Sequence, residues 1–304
     1  MNSVVDSISN ETELKSMLAD AQIPALPTTA MRLLELSKNT QSGLDDYVLT
    51  IEADPSLSCQ ILRFSNSSYF GFSREISSIK QSLLLLGIRP IRNFALWSAV
   101  YSLVPNPTFG SFDLKSLWQD SLRRAVFSRC LGRAIQLPTS EELFVAALLQ
   151  DVSIPIFLKV IPSKYEPLVA EAARTGERLS SLERIRFGWD HARASAILCQ
   201  NWHLPEEISA LIERHTDIES LFSGTIPQLD ACCVALSALL PSVKYAAWPE
   251  KQHFMDAFER MTVGCGLDGQ KLVQESDRSF AEFAPMLSLP PTVKTISDWM
   301  TEES

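Results

Sequence analysis

Glycine is scarce in this chain, 11 of 304 residues, and histidine is scarcer, at 4. No glycine-rich phosphate loop of the Walker or dinucleotide kind can be found. The one G-x-G, Gly264-Cys265-Gly266, follows a helix-like stretch and reads as a helix stop. Four scattered histidines give no Ser-His-Asp or Cys-His catalytic pattern. The six cysteines, at 59, 130, 199, 232, 233 and 265, match no short metal-ligand spacing. They read as reduced core thiols of a cytosolic protein. Positive charge is also short: 27 basic against 36 acidic side chains leave −9. That excludes coating nucleic acid by charge alone. A clean membrane span is lacking as well, because the longest apolar stretch, 143–161, is interrupted by Gln150, Asp151 and Lys159. The first residues are acidic and carry no apolar run, so no signal peptide is expected. The expectation is a cytoplasmic protein with no membrane or nucleic-acid partner.

What is present is a large apolar fraction, 46%, over a length that suffices for a full core without disulfides. No segment alternates with a period of two, and prolines fall between apolar-periodic blocks, which favours helices. Asp54-Pro55 reads as a helix cap followed by proline at the first helical position. Ser77 or Ser78 starts a helix that Gly87 stops, and Asp190 caps another. The spacing predicts an all-α protein of about fifteen helices, with no 20–50-residue repeat. Charge is unevenly placed along it. Residues 1–60 carry −6 and 136–304 carry −10, whereas 61–135 carry +7.

Several motifs follow one another in register. Ile23-Pro24-Ala25-Leu26-Pro27 precedes Ile51-Glu52-Ala53-Asp54-Pro55-Ser56-Leu57. Asn66-Ser67-Ser68-Tyr69-Phe70-Gly71 and the run from Ile76 to Gly87 come next. Leu117-Trp118, Leu148-Leu149-Gln150-Asp151, Glu183 to Gly188 with His191, and Trp202-His203-Leu204-Pro205-Glu206-Glu207 complete the series. In that order the chain resembles the HDOD domain family, bacterial signalling proteins distantly related to HD-type metal-dependent phosphohydrolases. The resemblance spans about residues 23–218. It implies two packed helical bundles, 23–110 and an HD-like 111–235. Residues 1–22 would form an N-terminal arm and 236–304 an appended helical segment.

A catalytic HD site holds one or two divalent metals on histidines and aspartates from several helices, and the metal lowers the pKa of a bound water. Carried over residue by residue, the resemblance places this site at Gln119, Gln150, Asp151, His191, His215 and, loosely, Asp230. Glutamine replaces the first two imidazoles, and its carbonyl oxygen is a poorer ligand for zinc, iron or manganese. The resemblance therefore implies no cofactor. A divalent metal on Asp151, His191 and His215 is the weaker alternative.

The basic segment offers two further candidates. Arg89 and Arg92 begin one helix, and Arg123, Arg124, Arg129 and Arg133 lie on the next long one. Together they are a candidate anion or partner surface, or else a face paired with the acidic parts of the same chain. The turn with Asn66, Ser67, Tyr69 and Phe70 is a candidate recognition loop. The expected function is a non-catalytic signal-transduction module that binds signalling proteins in trans. A residual phosphohydrolase and a binder of a nucleotide second messenger, such as a cyclic dinucleotide, are the alternatives.

Overall fold

The computed structural model describes residues 2–67, 70–110, 112–223, 228–244, 246–287, 289–290 and 292–302. Helix α1 (Asn2–Asp20) leads into α2 (Thr28–Lys38), α3 (Leu44–Glu52), α4 (Pro55–Ser65), α5 (Ile79–Leu86) and α6 (Ile88–Leu103). The second group is α7 (Leu114–Ala134), α8 (Ser140–Leu149), α9 (Ser153–Val160), α10 (Pro162–Thr175) and α11 (Leu179–Phe187). It continues with α12 (His191–Asn201), α13 (Glu206–Glu213), α14 (Ile218–Ser223) and α15 (Leu229–Ser237). The chain closes with α16 (Lys251–Gly264), α17 (Gly269–Phe283) and α18 (Ile296–Thr301). No strand occurs among the described residues, so the fold is all-α.

Local signals set many of the ends. Asp54 accepts from the Leu57 amide at 3.0 Å with Pro55 at the first helical position, and Ser78 accepts from Gln81 at 3.2 Å. Asp113 caps α7 and Asp190 caps α12. Gly87, at φ +90°, ends α5 and starts α6, a conformation open to glycine at little steric expense. Where a capping side chain is lacking, the chain improvises: Asp46 reaches back to the Gly43 amide at 2.8 Å to open α3.

Helix α7 is the axis of the second bundle and packs on α8, α15 and α17. Its crossing with α8 is close because Gly132 has no side chain; a Cβ there would stand 2.5 Å from Leu143 Cδ1. The two bundles meet through α6 on α8 and through Phe283 of α17. The Phe283 ring lies 5.4 Å from Phe64 in the first bundle and 5.8 Å from Phe144 in the second. The C-terminal segment is helical as expected, and it is built into the core rather than hung from it. Phe254 and Phe258 of α16 both pack on Phe127 of α7. The C-terminal half of α1 is likewise anchored: Leu14 and Leu18 are buried, and Glu11 accepts from Arg193 of α12 at 2.8 Å. One continuous stretch, Ser140–Val160, has the length and hydropathy to cross a membrane, and 89% of its most apolar window is buried inside the fold.

Candidate functional site

Three helix ends converge beneath a cavity of about 730 Å³. Asp151 follows α8, His191 is the first residue of α12, and His215 follows α13. Their ligating atoms all lie within 4.8 Å of one another, and all three residues are buried. The imidazoles face each other, His215 Nε2 to His191 Nε2, at 3.2 Å. Each is 3.5 Å from Asp151 Oδ1, too long for a strong hydrogen bond.

The surrounding groups fix the protons. His215 Nδ1 is 2.7 Å from the Ile212 carbonyl, which can only accept, so Nδ1 carries the hydrogen and Nε2 a lone pair. His191 Nδ1 is 2.6 Å from Glu183 Oε2, and the same carboxylate accepts from the His191 amide at 2.8 Å. Tyr165 donates to the other Glu183 oxygen. Burial opposes charge on His191, yet Glu183, with Asp151 and Asp190 behind it, outweighs burial and raises its pKa to about 9. Burial dominates at His215 and lowers its pKa. At neutral pH His191 is thus the imidazolium, and its Nε2 hydrogen points at the His215 lone pair.

Asp151 holds a second cation. Arg124 of α7 donates from Nη1 to Asp151 Oδ2. Burial pushes the Asp151 carboxyl up, but Arg124 and the two histidines override it and hold it well below the usual carboxylate range. The donors used here, a carboxylate oxygen and two imidazole nitrogens with carboxylate and carbonyl backing, fit a single divalent ion. Asp151, His191 and His215 would hold it, and it would supply a bound water of lowered pKa. A two-metal arrangement does not fit. The Gln150 side chain is fully buried, and neither its Oε1 nor its Nε2 finds a partner among the described residues.

Some of the residues singled out from the sequence lie elsewhere. Gln119 does not join the cluster: its amide donates to the Pro290 carbonyl at 2.8 Å, toward the C-terminal segment. Helical geometry is the reason. The residues of α7 and its cap that line the cavity are Asp113, Ser116, Leu117, Asp120 and Arg124, spaced three and four apart, and 119 is off that stripe. Asp230 also lies away from the cluster, where its carboxylate accepts from Thr139 at 2.8 Å.

The six arginines do not form one anion or partner surface. Arg89 donates to the Pro138 carbonyl at 3.3 Å, and Arg92 pairs with Glu142 at 3.5 Å. Arg123 ties the Pro241 carbonyl at 3.1 Å to that of Lys294 at 2.9 Å. Arg129 lies over the rings of Phe144 and Phe283 near Glu141, which also takes Arg133 at 2.7 Å. Arg124 alone reaches the cavity floor. The candidate recognition turn is tied to the fold by its side chains, although Asn66 itself is exposed. Asn66 clamps both the amide and the carbonyl of Ile76, each at 2.7 Å. Ser67 is buried, and Phe70 packs on Phe64 at 5.1 Å. Tyr69 lies outside the described residues.

Sequence reasoning assigned no role to Glu183 or Tyr165, and it grouped Arg124 with its surface neighbours. The α7 stripe at 113, 116, 117, 120 and 124 is the signal that separates Arg124 from them.

Two bundles around a histidine–aspartate cluster define an HD-like all-α protein. The HDOD domain profile matches residues 23–218. The chain belongs to the HDOD domain family. Among solved structures it is similar to an HDOD domain protein of unknown function from Geobacter sulfurreducens. The identity is 21% and the TM-score 0.70, over 92% of this chain and 99% of that one. A protein from Shewanella amazonensis SB2B, provisionally described as a phosphohydrolase, is 20% identical with a TM-score of 0.68, over 89% and 97%. One from Marinobacter aquaeolei VT8, provisionally described as a signal transduction protein, is 21% identical with a TM-score of 0.70, over 93% and 66%. At these identities the likeness is one of fold. An uncharacterized protein of Treponema pallidum (strain Nichols) is 26% identical over 212 residues, 68% of this chain and 40% of its own length. The chain therefore spans about two fifths of that relative.

Proposed function

We propose that this protein is a non-catalytic regulatory module of bacterial signal transduction, cytoplasmic and acting through protein partners on an HD scaffold that no longer works as a phosphohydrolase. The observation that carries this reading is the Arg124 guanidinium on Asp151. It supplies fixed positive charge on the carboxylate that a catalytic metal would need. The neighbouring Gln150 offers an amide where the resemblance calls for imidazole. Protonation works in the same direction. His191 keeps its proton to about pH 9, so a metal ion must displace it at neutral pH, which weakens binding by about a hundredfold at pH 7. The family membership and the signal-transduction description of the Marinobacter protein support the regulatory role by fold.

Elemental analysis of protein purified without chelator tests the first part. Iron, manganese and zinc are expected well below one equivalent. One equivalent, lost on Asp151→Ala, would overturn it. A native-lysate pull-down tests the second, with a saturable protein partner as the expected result. A mononuclear metal site is the second reading. It is favoured by the three buried donors within 4.8 Å and by the carboxylate behind His191. The same elemental analysis decides between the two.

A further inference from the structure

We propose that the cavity above Arg124 is a binding site for a small oxyanion, a phosphate or carboxylate group carried on a compact organic body. The inference rests on the reading above, in which Arg124 rather than a metal provides the positive charge at the floor. Among the described residues only Nη1 of Arg124 is engaged, on Asp151, and none of its nitrogens is among the buried atoms without a partner. The remaining N–H donors thus open toward the cavity that Arg124 lines. A guanidinium with one edge fixed and another free is a preoriented receptor for an oxyanion.

A second, independent observation points the same way. Gln150 lines the same cavity, and its buried carboxamide lacks partners for both donor and acceptor among the described residues. Buried polar groups in that state call for a partner from outside the chain. Most of the lining carboxylates already have donors. Asp113 caps α7, Asp120 accepts from Ser242 at 2.6 Å and Val243 at 2.7 Å, and Glu250 holds Arg178 at 3.0 Å. Arg174 at the mouth has no ion partner among the described residues. Glu177 is the lining acid whose carboxylate has neither a hydrogen bond nor an ion pair among the described residues. The volume suits a ligand of metabolite size, and Ile154, Val169, Leu239 and Trp248 give its body an apolar wall.

Calorimetry on the chelator-treated, full-length protein tests this at fixed ionic strength. The probes are inorganic phosphate, adenosine 5′-monophosphate, succinate and, as the body without the anion, adenosine. Saturable binding is expected for at least one oxyanion probe and none for adenosine; phosphate against succinate tells which oxyanion is preferred. Arg124→Gln is expected to weaken binding at least tenfold. Arg174→Gln, an exposed change that leaves folding intact, is expected to weaken it a few-fold. Silence of all three oxyanions with the wild type, or equal binding by both variants, overturns the proposal. If Arg124→Gln does not fold, unchanged binding by Arg174→Gln alone overturns it. Binding that appears only when a metal equivalent is restored would instead remove the non-metal reading.

Discussion

Helix α7 has two faces that carry the same residue type and use it differently. On the sides turned away from the cavity, toward α8 and the C-terminal segment, Arg123, Arg129 and Arg133 meet carbonyls, phenylalanine rings and Glu141. On the face toward the cavity, Arg124 meets one carboxylate and keeps donors in reserve. Residues 123 and 124 are consecutive, and the helical turn of about 100° between them is enough to separate the two environments. The difference teaches that a basic stretch of sequence is not a site by its charge. What matters is whether the fold has already supplied acceptors.

The sharpest way to break this comparison is to remove an arginine from the closed face. Arg129 is 1% exposed and sits over two aromatic rings beside Glu141. Arg129→Ala is expected to destabilise by about 3–5 kcal/mol, chiefly through lost packing, with Glu141 then left to the exposed Arg133 alone. Denaturant unfolding checks it; a change no larger than that of Arg124→Ala would make the two faces energetically alike.

The open face should respond less. Arg124→Ala is expected to cost about 2–3 kcal/mol, because Asp151 keeps the His191 charge nearby. Asp151→Asn added to it should recover part of that loss, since the second change removes the stranded charge. A double-mutant cycle reads this coupling, and strict additivity would show that the pair contributes nothing.

The histidine pair gives a pH signature to the same face. The folded pKa of His191, about 9, lies above its ordinary value of 6.5. The associated stability is therefore complete below pH 6.5 and is lost as pH rises through about 9. Unfolding free energy is expected to fall by about 2 kcal/mol between pH 6.5 and 8.5. His191→Gln should flatten the profile across that window, and a wild-type slope that persists in the variant would assign the effect elsewhere.

Much of the fold could be read in the sequence because it rests on local rules. Asp54, Ser78 and Asp190 cap helices as their positions suggest, and Gly87 ends one. The motifs in register carried the family. The convergence of Asp151, His191 and His215 was legible only through that resemblance, since the three lie on separate helix ends far apart in the chain. The partners of Gln119 and Arg123 were not legible at all. Both reach backbone carbonyls near residues 290–294, and long-range contacts to a main-chain oxygen leave no trace in side-chain pattern. Net charge along the chain groups Arg124 with its neighbours, whereas position around the helix separates it.

The smallest effect tests where the closed face ends. Arg133 shares Glu141 with Arg129 but is itself 52% exposed, at the last turn of α7. Solvent screens its ion pair, and the long side chain loses rotamer freedom to make it. Arg133→Ala is therefore expected to change stability by less than about 1 kcal/mol, part of which a high-salt buffer should abolish in the wild type. A loss as large as that of Arg129→Ala would mean that Glu141 depends on both arginines together. The closed face would then extend to the end of the helix, and the contrast with Arg124 would be one of partner number rather than burial.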